Sequence, residues 1–458
     1  MFAHKKLTIL ALILSSSVST QALAQSGPSS QDEIESLRAE LARLANRLQQ
    51  LESELAETSQ AANDAAQAAS DAAVVAAEAA TASQASSTDV VFKGAPQISG
   101  ENGWSFKPRG RANIDFGFVS APDTTGADSG FDAEARRIRL GASGTIPGGL
   151  GYKIEADFAE NEVALTDAII TYKDGGLTLT AGQHNTFQGL EELSSSLHTS
   201  FIERSAWTDA FGFERRVGVS AAYKTETVLV QAGYFTDNSE DLPNGNQSFD
   251  GRIVFAPTSG DTQWHFGGSV HYNDLGEGST VRYRQRPLVH FTDNRFVNTG
   301  NFSATSELGL GLEAAVIAGP FHVALEGFSQ SVSRPGGLPD PDFLGASAEV
   351  GFFLTDGDSR GYKIGTFDRV KPENPVGEGG TGAVQINLRY DHLDLNSGGI
   401  VGGTQDSLQA SLIWTLNDYS RLLFNYGLLS YDDAAFGTAT GDTSYDVHVA
   451  GFRAQIDF

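Results

Sequence analysis

The chain has 458 residues and a formal net charge of -26, from 57 acidic against 31 basic side chains, which excludes the basic face that nucleic-acid binding requires. Its 0 cysteines exclude disulfides and thiolate metal sites. Only 40% of residues are hydrophobic and 51 are glycine, so if the mature chain lives in a membrane it must do so as a closed barrel, because lipid admits only helices or barrels.

The first element, residues 1–24, reads as a secretory signal peptide. Lys5 and Lys6 precede an apolar stretch from Leu7 to Leu14, and Ala22-Leu23-Ala24 stands before Gln25. The stretch is too short to span a bilayer, which takes about 20 apolar residues.

Residues 32–83 read as helix. Ile34, Leu37, Leu41, Leu44, Leu48, Leu51 and Leu55 alternate three and four apart, and the register continues through Ala62, Ala65, Ala69, Ala72, Ala76 and Ala79. Such a heptad seam buries its leucines only against partner chains, so a periplasmic coiled coil joining protomers is expected. The competing reading is a lone amphipathic helix or Ala-rich spacer, since this seam buries little alone. Residues 84–105 read as a linker.

From 106 to 458 the chain alternates apolar and polar residues between Gly, Pro, Asn and Asp punctuation, the signature of membrane strands. Ala112, Ile114, Phe116 and Phe118 oppose Arg111, Asn113 and Asp115; Tyr152, Ile154, Ala156 and Phe158 oppose Lys153, Glu155 and Asp157. The last segment sets Phe452, Ala454, Ile456 and Phe458 against Arg453, Gln455 and Asp457, and a closing Phe is a pattern shared by bacterial outer-membrane proteins. Starts near Phe106, Phe131, Leu150, Val163, Leu177, Val217, Val228, Phe249, Thr262, Thr305, Phe321, Phe343, Ala383, Gln405, Arg421 and Tyr445 predict an all-β transmembrane barrel of about 16 antiparallel strands, a width that leaves a water-filled channel. Three long connections, Asn185 to Arg215, Asp274 to Ala304 and Thr355 to Gly382, exceed ordinary loop lengths, and at least the first is expected to fold inward.

Period-2 counting places Arg109, Arg111, Arg137, Arg139, Lys153 and Arg389 on the lumen face. Arg136 then points to lipid, unless it lies near the rim or a bulge turns the Arg136-Arg137 pair inward together. Arg282, Arg284 and Arg286 share one face if extended, forming a basic funnel. Arginine suits anion passage, since its planar fork replaces hydration without losing its proton. The same side chains could instead brace the wall by pairing with Glu155, Asp157, Asp115 and Asp391. Ser194 to Ser196, His198 and Asp209 make no activated nucleophile, and the 9 histidines form no metal-ligand motif. Neither an enzyme nor a cofactor is expected.

Several segments resemble the phosphate-selective porin O and P family: Arg136-Arg137-Ile138-Arg139-Leu140, Gly182-Gln183 with Gly189-Leu190-Glu191-Glu192-Leu193, Phe201-Ile202-Glu203-Arg204-Ser205, Arg284-Gln285-Arg286-Pro287, Arg295-Phe296-Val297-Asn298-Thr299-Gly300, Phe353-Leu354-Thr355, Arg369-Val370-Lys371-Pro372 and Asp394-Leu395-Asn396. The resemblance implies a sixteen-stranded homotrimer in outer-membrane lipid, with an arginine-lined path for small anions and an inward constriction carrying Glu191, Glu192, Glu203 and Arg204. This chain departs from the family pattern after Gly182-Gln183, where His184, Asn185 and Thr186 stand in place of lysine. With Glu191, Glu192, Glu203, Asp209 and Glu214 against Arg204 and Arg215, the loop reads as acidic, and an acidic constriction opposes phosphate entry. The expected function is a passive diffusion channel for small hydrophilic solutes that prefers anions such as phosphate, with a general or cation-tolerant diffusion porin, or an envelope tether with an incidental pore, as the alternatives.

Overall fold

A computed structural model describes residues 30–82, 88–159, 162–241 and 245–458; the expected signal peptide lies outside the described residues. The N-terminal unit is one helix, α1, Ser30–Ala82. Leu41, Leu44, Leu48, Leu51 and Leu55 are all exposed on it, from 47% to 70%. Polar i,i+4 pairs support the helix, Gln50 with Glu54 at 2.9 Å among the leucines and Gln60 with Asp64 at 2.9 Å beyond them.

The second unit, from Ser87 onward, is a barrel. The stretch read as a linker contains a hairpin in the structure: Asp89–Lys93 pairs antiparallel with Ala95–Ser99. β-branched Val90 and Val91 favour extended backbone, and Gly94 turns the chain at a φ of 80°, where a Cβ would lie 2.5 Å from the Tyr419 ring. The second arm joins the barrel through Ile98, opposite Phe106.

Sixteen strands form the wall: β1 Ser105–Ser120, β2 Gly130–Ile146, β3 Leu150–Asp157, β4 Ala164–Asp174, β5 Leu177–Asn185, β6 Arg215–Lys224, β7 Val228–Phe235, β8 Gln247–Phe255, β9 Thr262–Asp274, β10 Ser306–Ala318, β11 Phe321–Ser333, β12 Asp342–Phe353, β13 Ala383–Ser397, β14 Ile400–Asn417, β15 Ser420–Asp432 and β16 Tyr445–Asp457. Each pairs antiparallel with the next, and β16 pairs with β1 from His448↔Ser120 to Asp457↔Arg111, so the sheet closes. The end holding Ser105 and Asp457 is called the base and the opposite end the top.

Outward positions are apolar and uncovered, while their neighbours are buried. Leu312 is 76% exposed beside Glu313 at 6%, and Leu408 is 62% exposed beside Ser407 at 2%. Rings bound this band at both ends, with Tyr172, Tyr223, Phe255, Trp264 and Trp414 towards the base and Phe118, Phe131, Tyr234, Tyr272 and Tyr390 towards the top. Arg136 does not face lipid. The register jumps from Asn113↔Arg137 to Ile114↔Ala135, so Arg136 is the extra residue of a bulge, and both arginines reach the same inward carboxylate.

The seam depends on one close approach. Phe458 exchanges backbone hydrogen bonds with Gly110 at 3.0 and 3.1 Å, and its ring lies over Gly110, where a Cβ would stand 2.1 Å from it. Phe458→Ala or Gly110→Val therefore lowers the yield of folded barrel in outer-membrane fractions while leaving single-channel conductance unchanged in the barrels that form. Equal yield from both variants would contradict the seam's role.

Candidate solute path

Two long connections enter the lumen from opposite ends. The 186–214 loop descends from the top, with short helices α2, Leu190–Leu193, and α3, Ala206–Ala210. Wall side chains from β11 to β16 hold it. Leu190 and Glu191 donate their backbone N–H groups to Glu326 at 2.7 and 2.8 Å, and Ala206 donates to Asp391 at 2.7 Å. Arg389 grips Glu191 at 2.8 Å, while Arg421 and Arg453 donate to the carbonyls of Thr199 and Ile202 at 2.9 and 2.6 Å.

The 354–382 connection rises from the base beneath it. Phe367 N–H donates to Ser194 Oγ at 2.8 Å, and Arg252 donates to the Gly365 carbonyl at 2.8 Å. At the top, the 275–305 loop packs Tyr283, Leu288, Val289, Phe291, Phe296 and Phe302 against Trp207, Phe328 and Tyr431 in the main apolar cluster. These three segments fill the side of the lumen that faces β8 to β16.

What stays open runs along β1 to β6, through three cavities. At the top, about 440 Å³ is bordered by Asp128, Asp132, Glu134, Arg286, His290 and Asp293. A narrower space of about 250 Å³ shares Arg286 and His290 with it and is lined by Arg136, Arg137, Arg139, Arg204 and Arg215 opposite Phe213, Leu288 and Val289. At the base, about 640 Å³ is lined by Lys107, Arg109, Lys153 and Lys173, with no acidic side chain.

The acids of the constriction are matched by arginines. Glu203 lies 3.0 Å from Arg136, 2.8 Å from Arg453 and 3.9 Å from Arg137. Burial alone raises its carboxyl, but the three guanidiniums hold it well below the usual carboxylate range. Glu192 lies 3.4 Å from Arg204, and burial pushes its carboxyl up. Glu191 is spent on Arg389 and on Ser205, whose N–H and Oγ donate to it at 2.9 and 2.7 Å. Arg204 in turn spans the Glu191, Glu192 and Ser194 carbonyls at 2.9 to 3.0 Å. Six arginines thus line this cavity against Glu192, Glu203 and Asp209.

Arg109, Arg137, Arg139 and Lys153 border the open path as their strand positions require. Arg139 bonds Asp157 at 2.7 Å, and Lys153 bonds Asp167 at 2.7 Å. Arg111 faces inward but donates to Ser196 Oγ at 2.9 Å and lies 3.9 Å from Glu155, bracing the loop. Arg389 also faces inward, yet it is 2% exposed beneath the loop and meets no solute path, a placement that strand counting cannot see. Of the expected funnel, Arg286 alone lines the cavities, turned back onto Asp293 at 3.1 Å. Arg284 is exposed, and Arg282 donates to Asn298 at 2.9 Å, because this segment breaks into two-residue strands rather than one extended run. Sequence reasoning passed over Lys107 and Lys173 at the base, although Lys107 stands two residues before Arg109, which it assigned to the lumen. Arg421 and its anchoring role had no signal at all, since its partners are carbonyls of a distant loop.

A closed sixteen-strand antiparallel barrel with an apolar outer band, an aromatic girdle at each end and a charged, loop-narrowed lumen is an outer-membrane porin. Among solved structures it resembles OmpT of Vibrio cholerae, an outer-membrane protein, in a loop L8 deletion mutant (TM-score 0.51, 12% identity, 78% of this chain and 100% of that one) and in a trimer form (TM-score 0.50, 11% identity, 78% and 99%). The chain belongs to the phosphate-selective porin O and P family, whose model matches residues 106–458. An uncharacterized protein of Caulobacter vibrioides is 45% identical over 389 residues, covering 82% of this chain and 78% of that one.

The deepest wall-to-loop anchor is Arg453, which forks onto Asp115 at 2.6 and 2.7 Å with both side chains 0% exposed. Asp115→Ala leaves that guanidinium with Glu203 as its one carboxylate partner, beside the Ile202 carbonyl, and removing one partner of a buried pair costs about 3–5 kcal/mol. The unfolding temperature of the detergent-solubilised barrel, followed by heat-modified gel mobility, should fall clearly. An unchanged transition would show that the pair does not hold the loop.

Proposed function

We propose that the porin is a passive diffusion channel that prefers small anions, phosphate among them, and that the arginines of β2 and the inward loop carry the preference. The supporting observation is Arg137. It is 6% exposed, lines the narrowest of the three cavities along β1 to β6, and its Nη1 has no hydrogen-bond partner among the described residues. A guanidinium not fully matched by its neighbours keeps positive charge beside the cavity, where an anion is attracted to it. Arg136, Arg139, Arg204 and Arg215 surround the same space, and the base vestibule beyond it is lined by cations alone among its charged residues. The family description adds phosphate as the solute to test first. Arg137→Ala with Arg139→Ala should move the reversal potential under a chloride gradient towards zero and weaken block by added phosphate. A cation-selective unmodified channel would reduce the reading to general diffusion.

The same proposal sets the base towards the periplasm, where the N-terminal segment would lie, and three chains in the assembly. The exposed leucine row of α1 needs partner helices to be covered, and one OmpT structure is described as a trimer form. Deleting residues 32–83 should lower the trimer fraction in sedimentation while the barrel stays folded. A full-length mature chain that sediments as a monomer would refute the assembly.

A further inference from the structure

We infer that this channel is a rectifier, passing more current in one direction than the other, because the fixed charge along its path changes sign within the barrel. The inference rests on the proposed course of the solute along β1 to β6.

At the top, the cavity borders carry Asp128, Asp132, Glu134 and Asp293 against Arg286 and His290. The Asp293 side chain is 96% exposed despite its contact with Arg286, and Asp132 is exposed, so both project their charge into the water of the mouth. Neighbouring top connections add to this field, since residues 121–129 carry Asp123 and Asp128 and residues 236–246 carry Glu240 and Asp241, with no basic residue in either; Asp237 is buried against Arg216 and adds little. Below, the constriction has six arginines and three acids. At the base the charged lining is cationic throughout, and the side chains of Arg109 and Lys173 have no partner among the described residues. Arg286 and His290 border both the mouth and the constriction, so the two stretches of opposite charge are neighbours along the proposed course.

The consequence follows from which mobile ion each stretch collects. An acidic collar enriches cations and a basic stretch enriches anions, each over about a Debye length. With the top compartment positive, the field drives cations down from the collar and anions up from the vestibule. Both then accumulate where the sign changes, and conductance rises. With the top negative, both are drawn away from that point and it empties of carriers. An acidic mouth above a basic constriction therefore favours current with the top positive. A uniformly basic pore has no such preference.

The test uses the full mature chain in a planar bilayer with equal salt on both sides. The chain has 0 cysteines, so a Ser129→Cys variant carries a single thiol at the top mouth, and a membrane-impermeant cationic thiol reagent added to one chamber identifies the orientation. At about 0.1 M salt, where the Debye length is about 10 Å, the current at equal and opposite voltages should differ about two-fold or more, larger with the top positive. At about 1 M, where that length falls to about 3 Å, the ratio should approach one. Asp128→Asn, Asp132→Asn and Asp293→Asn together should abolish the asymmetry and leave the anion-directed reversal potential in place. A symmetric trace from an anion-selective channel in dilute salt, the opposite polarity, or a ratio untouched by the three substitutions overturns the inference while the anion reading stands. A cation-selective unmodified channel overturns both.

Discussion

Lipid cannot hydrogen-bond a backbone, and that constraint organises the rest of the molecule. Every strand N–H and C=O at membrane depth must find a partner in the chain, so the sheet has to close and its edges have to meet. They meet at β16 and β1, with Phe458 and Gly110 completing the last rungs. Closure over sixteen strands leaves a lumen too wide for its own wall side chains to fill. Selective contact with a small solute therefore requires material that the strands do not supply. Three long connections provide it, and anchoring them consumes much of the polar inner wall: Glu326, Arg389, Asp391, Arg421 and Arg453 all serve a loop.

How much of this can be read from the chain depends on the range of the interaction. Strand existence is local, since period-2 alternation and turn residues mark it, and the strand starts expected from those signals lie within a few residues of those observed. The largest offset is at β14, which begins at Ile400 rather than near Gln405, because Gly398 and Gly399 make the turn at φ values of 56° and 81° while Gly402 and Gly403 belong to the strand. Facing is also local, and Arg109, Arg137, Arg139, Lys153 and Arg389 do face inward. Exposure is not local. Arg389 is sealed by a loop nearly two hundred residues away in the chain, and β15 turns Leu423, Leu429 and Tyr431 inward because loops, not water, cover them there. A polar-lumen rule fails wherever the lumen is occupied. The acidic reading of the 186–214 loop counted the loop alone, for the same reason, since only the fold brings wall arginines to Glu191 and Glu203.

A net charge of -26 and a basic solute path coexist because position outweighs total. Charges on top connections and on α1 face bulk water, where a field dies within about 8–10 Å at ordinary salt. Charges in the narrow cavity act across a low-dielectric wall that concentrates their field on the path. Few side chains in the second class therefore govern passage more than many in the first.

The wall arginines were open to two readings from sequence, bracing the barrel or attracting a solute, and the geometry dissolves the choice for some of them. A guanidinium presents five N–H donors in a fixed fork, and one carboxylate takes two at most from a single face. Arg136 bonds Glu203 through Nε and Nη2, and Arg139 bonds Asp157 through Nε. Each keeps further donors while lining the constriction. On the proposed reading, the ion pair fixes the side chain so that little rotamer freedom would be lost on contact with an anion, and the paired acid would lower the net attraction so that the anion can leave. A lysine held by the same carboxylate is a point charge with no fork to divide, which accounts for lysine standing at the wider base and arginine where the path is narrow. On the proposed reading, bracing and conduction draw on different donors of the same residue, whereas Arg389, Arg421 and Arg453 serve bracing alone, their forks buried between the wall and the inward loop.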